Sequence, residues 1–325
     1  MSILGFEYFL VAAEEMNFTK AAARLYISQQ SLSAHIQRLE EQYGVTLFER
    51  KPSLKLTLAG EAMMFYAKQM LKAEESMTAQ FADITKECRG HIKLGMSRQR
   101  AQIFFNNIWD KYHSNNENIS VSIIERNTDI LIQQLRSNLI DLCTGINVVP
   151  TKDIEITSLF TEKICCSIST NLLKKYRPNS WEQDQANFAK NGVDLLTIRD
   201  LPFLMLPAQN RIRTIADRMF ASHGAYPHVI LETNNQELML KLADSGVGII
   251  SPMYLYDHWQ NSPISLGAPQ IFPINSPLFA SNVCIVTRKN EPLPSYAESM
   301  KDIITKEFLN YKNTINKLNP YHLID

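Results

Sequence analysis

The chain has no apolar run approaching the roughly 18 residues that a membrane-spanning helix requires; GVGIISPMYLY, beginning at Gly246, is too short. It lacks a basic leader as well. The start, MSILGFEYFLVAAEEMNF, carries Glu7, Glu14 and Glu15 and does not read as a secretory signal, so a cytoplasmic protein with no membrane association is expected. Cysteine is scarce and scattered: Cys88, Cys143, Cys165, Cys166 and Cys284 form an odd set, which points to free buried thiols rather than a disulfide framework. Charge of either sign is not in excess, because 33 basic residues balance 33 acidic ones. A nucleic-acid partner must therefore show itself in a local patch or not at all.

Catalytic signatures are missing too. There is no phosphate-loop GxxxxGK[ST], no HExxH and no GxSxG, and Gly246-Val-Gly248 lacks the dinucleotide pattern. Cys88 with His91 has no convincing metal spacing, and the vicinal Cys165-Cys166 sits in an apolar run, ICCSIS, where thiols are inert. No catalytic residue, metal or cofactor is implied, and the protein is not expected to be an enzyme.

What is present begins with helical periodicity. At 325 residues the chain exceeds a single domain of about 100 to 200. In its first ninety residues Phe6, Phe9, Leu10 and Ala13 form one apolar stripe, and Ala22, Leu25, Leu32, Ile36 and Leu39 form others. Asn17 and Thr19 can cap a helix over Ala21 to Leu25; Ser28, with Ser31 as the alternative, can cap one from Gln29 to Tyr43, which Gly44 would end. Two helices joined through Tyr26 to Ser28 make a helix-turn-helix. With Leu32, Ile36 and Leu39 committed to a core, the other side of the second helix shows Gln29, Gln30, Ser33, His35, Gln37 and Arg38, short amides and hydroxyls suited to base edges with a cation for phosphate. The segment VTLFERKPSLKLTL then reads as a small hairpin, or wing, carrying Arg50, Lys51 and Lys55.

From Ala59 the chain runs to Arg89 with no proline and no glycine after Gly60. Met63, Ala67, Met70, Glu74, Met77, Phe81, Ile84 and Cys88 recur at steps of four and three, a heptad seam with one polar interruption. Such a helix dimerises through Met63, Met70, Met77, Phe81 and Ile84, or else lies on its own domain. Beyond Gly90 strand-like runs (Ile92 to Met96, Ile119 to Ile124, Ile140 to Thr144, Ile164 to Ile168) alternate with helix-like ones (Ile103 to Tyr112, Ile130 to Arg136), as in α/β units. Asn171 to Asp200 is polar and irregular and reads as a surface insertion. After it come a strand in PFLML, a helix from Arg211 to Ser222, and a strand, loop, helix and strand in HVILETNNQELMLKLADSGVGIIS.

AAARLYISQQSLSAHIQRLEEQYGVTLFER and the LT-x-AGE of Leu56 to Glu61 resemble the winged helix-turn-helix and linker helix of LysR-type transcriptional regulators, over about sixty residues in order and spacing. GHIKLGMS, IDLCTGI, ETNNQELMLKLADSGVGIISP and NVCIVTRKN more weakly resemble the family's effector domain. The resemblance implies an α+β multidomain chain: a winged helix-turn-helix over 1–58, a linker helix over 59–89, and from 90 to 325 a two-lobed α/β domain of periplasmic-binding-protein-like (type 2) fold. Lobe one would take about 91–163 and 270–310, lobe two about 164–269.

By position, Gln29 and Gln30 would meet bases, while Ser33, Arg38 and Arg50 would hold phosphates. Ala34 stands where the family often has an arginine, and the wing is one residue shorter and less basic, which shifts weight to dimerisation and to His35 or Lys51. The effector cleft would draw on Ser97, Arg98 and Gln99, on Gln209, Asn210 and Arg211, and on Thr233, Asn234 and Asn235, with Arg98 or Arg211 pairing an organic anion. The implied function is a sequence-specific regulator acting on double-stranded DNA under control of a small-molecule effector, as a homodimer or homotetramer, with RNA polymerase a further candidate partner. The competing class is an α/β solute-binding or enzyme-like protein with an accessory helical domain; the missing export signal counts against transport.

Overall fold

A computed structural model describes residues 3–50, 53–85, 90–254, 270–318 and 323–325. Three helices build the head. α1 (Ile3–Glu15) buries Phe6, Phe9, Ala12 and Ala13. α2 (Phe18–Arg24) starts at Asn17, whose side chain accepts the backbone N–H groups of Thr19 and Lys20. α3 (Gln29–Tyr43) starts at Ser28, whose hydroxyl accepts the Ser31 N–H, and ends at Gly44 with φ 65°, a left-handed stop. Leu32, Ile36 and Leu39 of α3 close the same apolar cluster.

β1 (Phe48–Glu49) and β2 (Lys55–Leu56) pair antiparallel as the wing, with Phe48 opposite Leu56. The long helix α4 (Leu58–Thr85) follows at once. Its start explains the LT-x-AGE residues. The Thr57 hydroxyl accepts the Gly60 N–H at 3.0 Å and donates to the Thr46 carbonyl at 2.6 Å, tying helix to wing. A Cβ on Gly60 would lie 2.2 Å from the Leu47 carbonyl oxygen, so only glycine lets the two backbones meet.

The remainder forms two five-stranded sheets. In the first, β3 (Gly90–Met96) lies parallel to β4 (Ile119–Glu125) and β5 (Leu142–Ile146), through crossovers α5 (Arg98–His113) and α6 (Thr128–Arg136). β6 (Ile154–Lys163) and β12 (Ala280–Arg288) complete it antiparallel. In the second, β8 (Pro202–Met205) lies between β9 (His228–Glu232) and β10 (Val247–Ile250), both parallel to it. β7 (Cys165–Ile168) and β11 (Gln270–Pro273) close that sheet antiparallel. α9 (Arg211–Ala221) joins β8 to β9, and α10 (Gln236–Lys241) joins β9 to β10. A long last helix, Ser295–Leu318, packs Phe308 and Tyr311 against Phe104 of α5.

Three expectations need correction. Asn171 to Asp200 is no surface insertion: α7 (Thr170–Tyr176) and α8 (Trp181–Asn191) bury Leu172, Leu173 and Phe188 in the core of the second sheet, with Val193, Leu195 and Ile198. Polar residues interleave with the apolar ones that turn inward, and Tyr176 stays exposed, which masks the buried set in the sequence. The chain does not rejoin the first sheet at 270, because Gln270–Pro273 pairs with β7, and the return comes at Ala280. The strand expected from Ile140 is shifted to Leu142–Ile146, since the Asp141 carboxylate accepts the Lys93 N–H and its own N–H meets the Lys93 carbonyl. Residues 323–325 add a strand-like cover on the β6 edge, where Thr161 and Asp325 exchange backbone bonds of 3.0 and 2.8 Å.

Phe188 is 2% exposed and meets Phe272 edge-on at 5.7 Å. Phe188→Ala should therefore destabilise the effector domain by about 3 to 5 kcal/mol, the range for a large core truncation. Urea unfolding checks this; a loss below about 0.5 kcal/mol, the scale of a neutral surface change, would restore the insertion reading.

Candidate functional site

The head presents one polar helix face. Gln29 and Gln30, in the first turn of α3, are exposed, as are Gln37 and Arg38. The Gln37 amide is engaged within the helix, donating to Glu41 at 2.9 Å. Ser33 is half-buried. His35 is placed differently from expectation. It falls three residues after Leu32, on the flank of the buried stripe, and packs edge-on against Tyr8 with centroids 4.8 Å apart, so it belongs to the α1 contact.

The wing cations are similarly divided. Lys55 is exposed, and Lys51 lies outside the described residues. Arg50 rests over the Phe18 ring at 5.5 Å and 3.8 Å from Glu40. Glu40 also accepts the Leu47 and Phe48 N–H groups, at 2.7 and 3.3 Å. By charge alone Glu40 opposes the basic balance of the head; in the fold it fastens the wing to α3. Arg24 is spent on Glu14 and Glu15.

On α4 the expected seam divides. Ala67 is fully buried and Met63 packs beside it in the head, because the first turns of α4 lie on α1. Further along, Met70, Met77 and Phe81 are 42%, 48% and 57% exposed, and Tyr66 joins them at 57%. A stripe of this kind is more apolar surface than a lone helix normally shows to water. Ile84 lies on the helix, with its side chain outside the described set, as is Cys88.

The predicted effector residues prove to be mostly helix caps. Ser97 accepts the Arg100 N–H, Asn210 the Ile212 N–H and Asn235 the Leu238 N–H. Thr233 accepts the Asn235 N–H at 3.1 Å. Arg98, Gln209 and Asn234 are exposed, and Gln99 is half-buried. Arg98 is thus turned to solvent, and with Ser97 as cap the buried position of that first turn belongs to Arg100.

Arg100, which no sequence pattern singles out, is 7% exposed and donates at 2.8 Å to Glu162, itself 3% exposed, near the end of β6 where the chain leaves the first sheet. The second oxygen of Glu162 is enclosed without a hydrogen-bond donor among the described residues. Directly opposite Glu162 on β12 stands Ser281, whose hydroxyl accepts from Arg211 of the second lobe. Burial pushes the Arg211 guanidinium below its ordinary value; Glu162 opposes that shift and Arg100 adds to it. Four polar side chains from both lobes therefore meet at one crossing. No local pattern announces them, since Arg100, Glu162, Arg211 and Ser281 lie on separate segments. Behind the crossing an open groove of about 460 Å³ is lined by Lys163, Asn191, Gly192, Asn275, Ser276 and Ala280 among others.

Two family models match this chain, one for the bacterial regulatory helix-turn-helix protein of the lysR family over residues 4–61 and one for the LysR substrate-binding domain over residues 85–309. The chain belongs to the LysR family. It is a DNA-binding transcriptional regulator with an effector-binding domain. Among its relatives, the regulator BenM of Acinetobacter baylyi is 28% identical over 77% of this chain and 79% of its own length. The transcriptional dual regulator GltC of Bacillus subtilis is 25% identical over 95% of this chain and 98% of its own. A full-length OxyR variant from Pseudomonas aeruginosa superposes with a TM-score of 0.63 at 21% identity, covering 94% of both chains. CbnR in complex with its target DNA gives 0.56 at 18% identity, covering 94% of this chain and all, 100%, of that one. At such identity the two structures speak for the fold alone. No helix among the described residues is long and apolar enough to cross a membrane.

The cysteines of the effector domain are held as thiols. Cys143, Cys165, Cys166 and Cys284 are all buried and unbridged, and burial pushes the Cys143 thiol up to about 12 and the other three above their ordinary value. In native protein at about pH 8 these four should resist an aromatic disulfide reagent and react only on denaturation. Peptide mapping of the labelled protein tests this, and rapid native labelling of Cys165 or Cys166 would reverse the assignment.

Proposed function

We propose that this regulator reads its operator through the first turn of α3, with Gln29 and Gln30 on base edges and Arg38, Lys55 and Arg50 near phosphates. The observation that carries this reading is the placement of two exposed glutamines at the start of a helix whose opposite face is sealed into the head core. Amides of this length can bond adenine bidentately in the major groove, while arginine and lysine fix register without reading sequence. Arg50, held by Glu40 and Phe18, contributes a positioned charge rather than a mobile one. CbnR, which shares the fold, has been seen in complex with its target DNA.

The partner of the α4 stripe is a second copy of the chain, giving a homodimer with two reading heads, and contacts between effector domains would extend it to a tetramer. The effector is a small molecule carrying an anionic group, taken between the lobes beside Arg211. Arg211 bridges the lobes through Ser281. A ligand that claims Arg211 changes that bridge, and the altered lobe geometry shifts how paired heads sit on DNA. RNA polymerase would sense the result, in the cytoplasm.

Gln29→Ala should weaken binding to operator fragments selected from the source genome by about 1 to 3 kcal/mol and leave random-duplex binding nearly unchanged. Gel-shift titration against both duplexes separates the cases, and equal losses would show that this face does not read bases. Met70→Lys with Met77→Lys places charges in the stripe and should dissociate the dimer, because buried unpaired charge is costly. An unchanged sedimentation mass with intact DNA affinity would return α4 to its own domain.

A further inference from the structure

The charges at the lobe crossing do not balance as a self-contained structural cluster would. Arg213, two residues along α9 from Arg211, is compensated within the fold by Asp217 and Glu232. Arg211 forms no salt bridge with a carboxylate among the described residues, and Glu162 acts on it only through space. It spends its guanidinium on the neutral Ser281 hydroxyl, although it is half-buried and the enclosed Arg100 lies in its field. Glu162 is consumed by Arg100 through one oxygen only. Arg100 and Glu162 neutralise each other, so Arg211 is left with no carboxylate in contact with it, which asks for one from a ligand. The idle oxygen of Glu162 asks for a donor, since an enclosed carboxylate oxygen without one carries a desolvation cost.

The two demands lie side by side. Ser281 and Glu162 are partners in register on adjacent strands, so their side chains share a face with Cβ atoms about 5 Å apart. Arg211 reaches that same Ser281 from the other lobe. A cation and an idle acceptor are thus brought to one face of the same strand pair, from opposite lobes.

We infer that the effector is an α-amino or α-hydroxy acid, its carboxylate displacing Ser281 on Arg211 and its ammonium or hydroxyl donating to the free oxygen of Glu162. This rests on the reading of the lobe crossing as the effector site and names the ligand class that site takes. A plain carboxylate would satisfy Arg211 but leave Glu162 short of a donor. An amine would satisfy Glu162 and leave Arg211 uncompensated. Discrimination comes from the unsatisfied group, which is how sites built to bond a hydroxyl or amine reject analogues that lack it.

The experiment uses the full chain and three matched sets of probes by thermal shift and calorimetry: L-alanine, L-lactate, propionate and n-propylamine; L-aspartate, L-malate and succinate; L-phenylalanine, L-phenyllactate and 3-phenylpropionate. In at least one set the amino or hydroxy acid should bind at least about tenfold more tightly than its unsubstituted carboxylate, the factor a single charged hydrogen bond supplies. Arg211→Gln should abolish that binding while the chain stays folded, with an unchanged circular-dichroism spectrum. If the unsubstituted carboxylates bind equally well, the cleft reading stands and the ligand class is wrong. Binding of n-propylamine alone, or binding insensitive to Arg211→Gln, also overturns the proposal. If no probe in any set binds, the lobe crossing is not a small-acid site, and the effector reading of it falls as well.

Discussion

The arrangement of the effector domain turns on one buried ion pair, Arg100 with Glu162, at 2.8 Å. Arg100 sits in the first turn of α5 and Glu162 near the end of β6, one residue before the strand gives way to the crossing at Ile164. Both side chains are nearly inaccessible to water. Desolvating a single charge there would be prohibitive, so each fixes the other, and removing either leaves an uncompensated charge that costs about 3 to 5 kcal/mol. Such a pair contributes little net stability compared with apolar residues of the same volume. It specifies where the chain leaves one sheet and what chemistry lines the exit.

The reading head is organised by polar constraints of a different sort. Asn17, Ser28 and Gly44 set the ends of α2 and α3, and Thr57 with Gly60 sets the start of α4. Glu40 binds the wing backbone to α3. These bonds tie helix, wing and linker start to one another. Met70, Met77 and Phe81 farther along α4 stay exposed, and in the proposed dimer they are the residues that a second chain covers.

The head is legible in the sequence because its signals are local: caps three residues from their targets, apolar positions four apart, a glycine where two backbones touch. The effector site is much less so. Ser97, Asn210 and Asn235 stand at helix starts as expected, yet their acceptors are spent on backbone N–H groups of their own helices. A residue type that suits an anion site also suits a cap, and sequence cannot tell the two apart. Arg211 does lie at the lobe junction, whereas Arg98 is exposed and Arg100 is the arginine buried against Glu162, because two residues along a helix turn by about 200°. Arg100 and Glu162 are 62 positions apart, and Arg211 and Ser281 are 70 apart. Only the fold brings them to one place. His35 and Phe188 escape a sequence reading for the converse reason, each being drawn into a packed contact by neighbours distant in the chain.

The central claim is that the charge of Glu162 is spent on the fold while that of Arg211 is kept for a ligand. Tryptophan fluorescence isolates the domain concerned, because Trp109, Trp181 and Trp259, all 3 tryptophans of the chain, lie beyond the head and linker. The decisive measurement is urea unfolding of the ligand-free full-length protein followed by that signal, with Glu162→Met and Arg211→Gln compared against wild type. Glu162→Met should lower stability by about 3 to 5 kcal/mol by stranding Arg100, and Arg211→Gln should leave it unchanged or raise it. A loss on Arg211→Gln as large as that on Glu162→Met would mean that Arg211 is a structural residue, and would contradict the account.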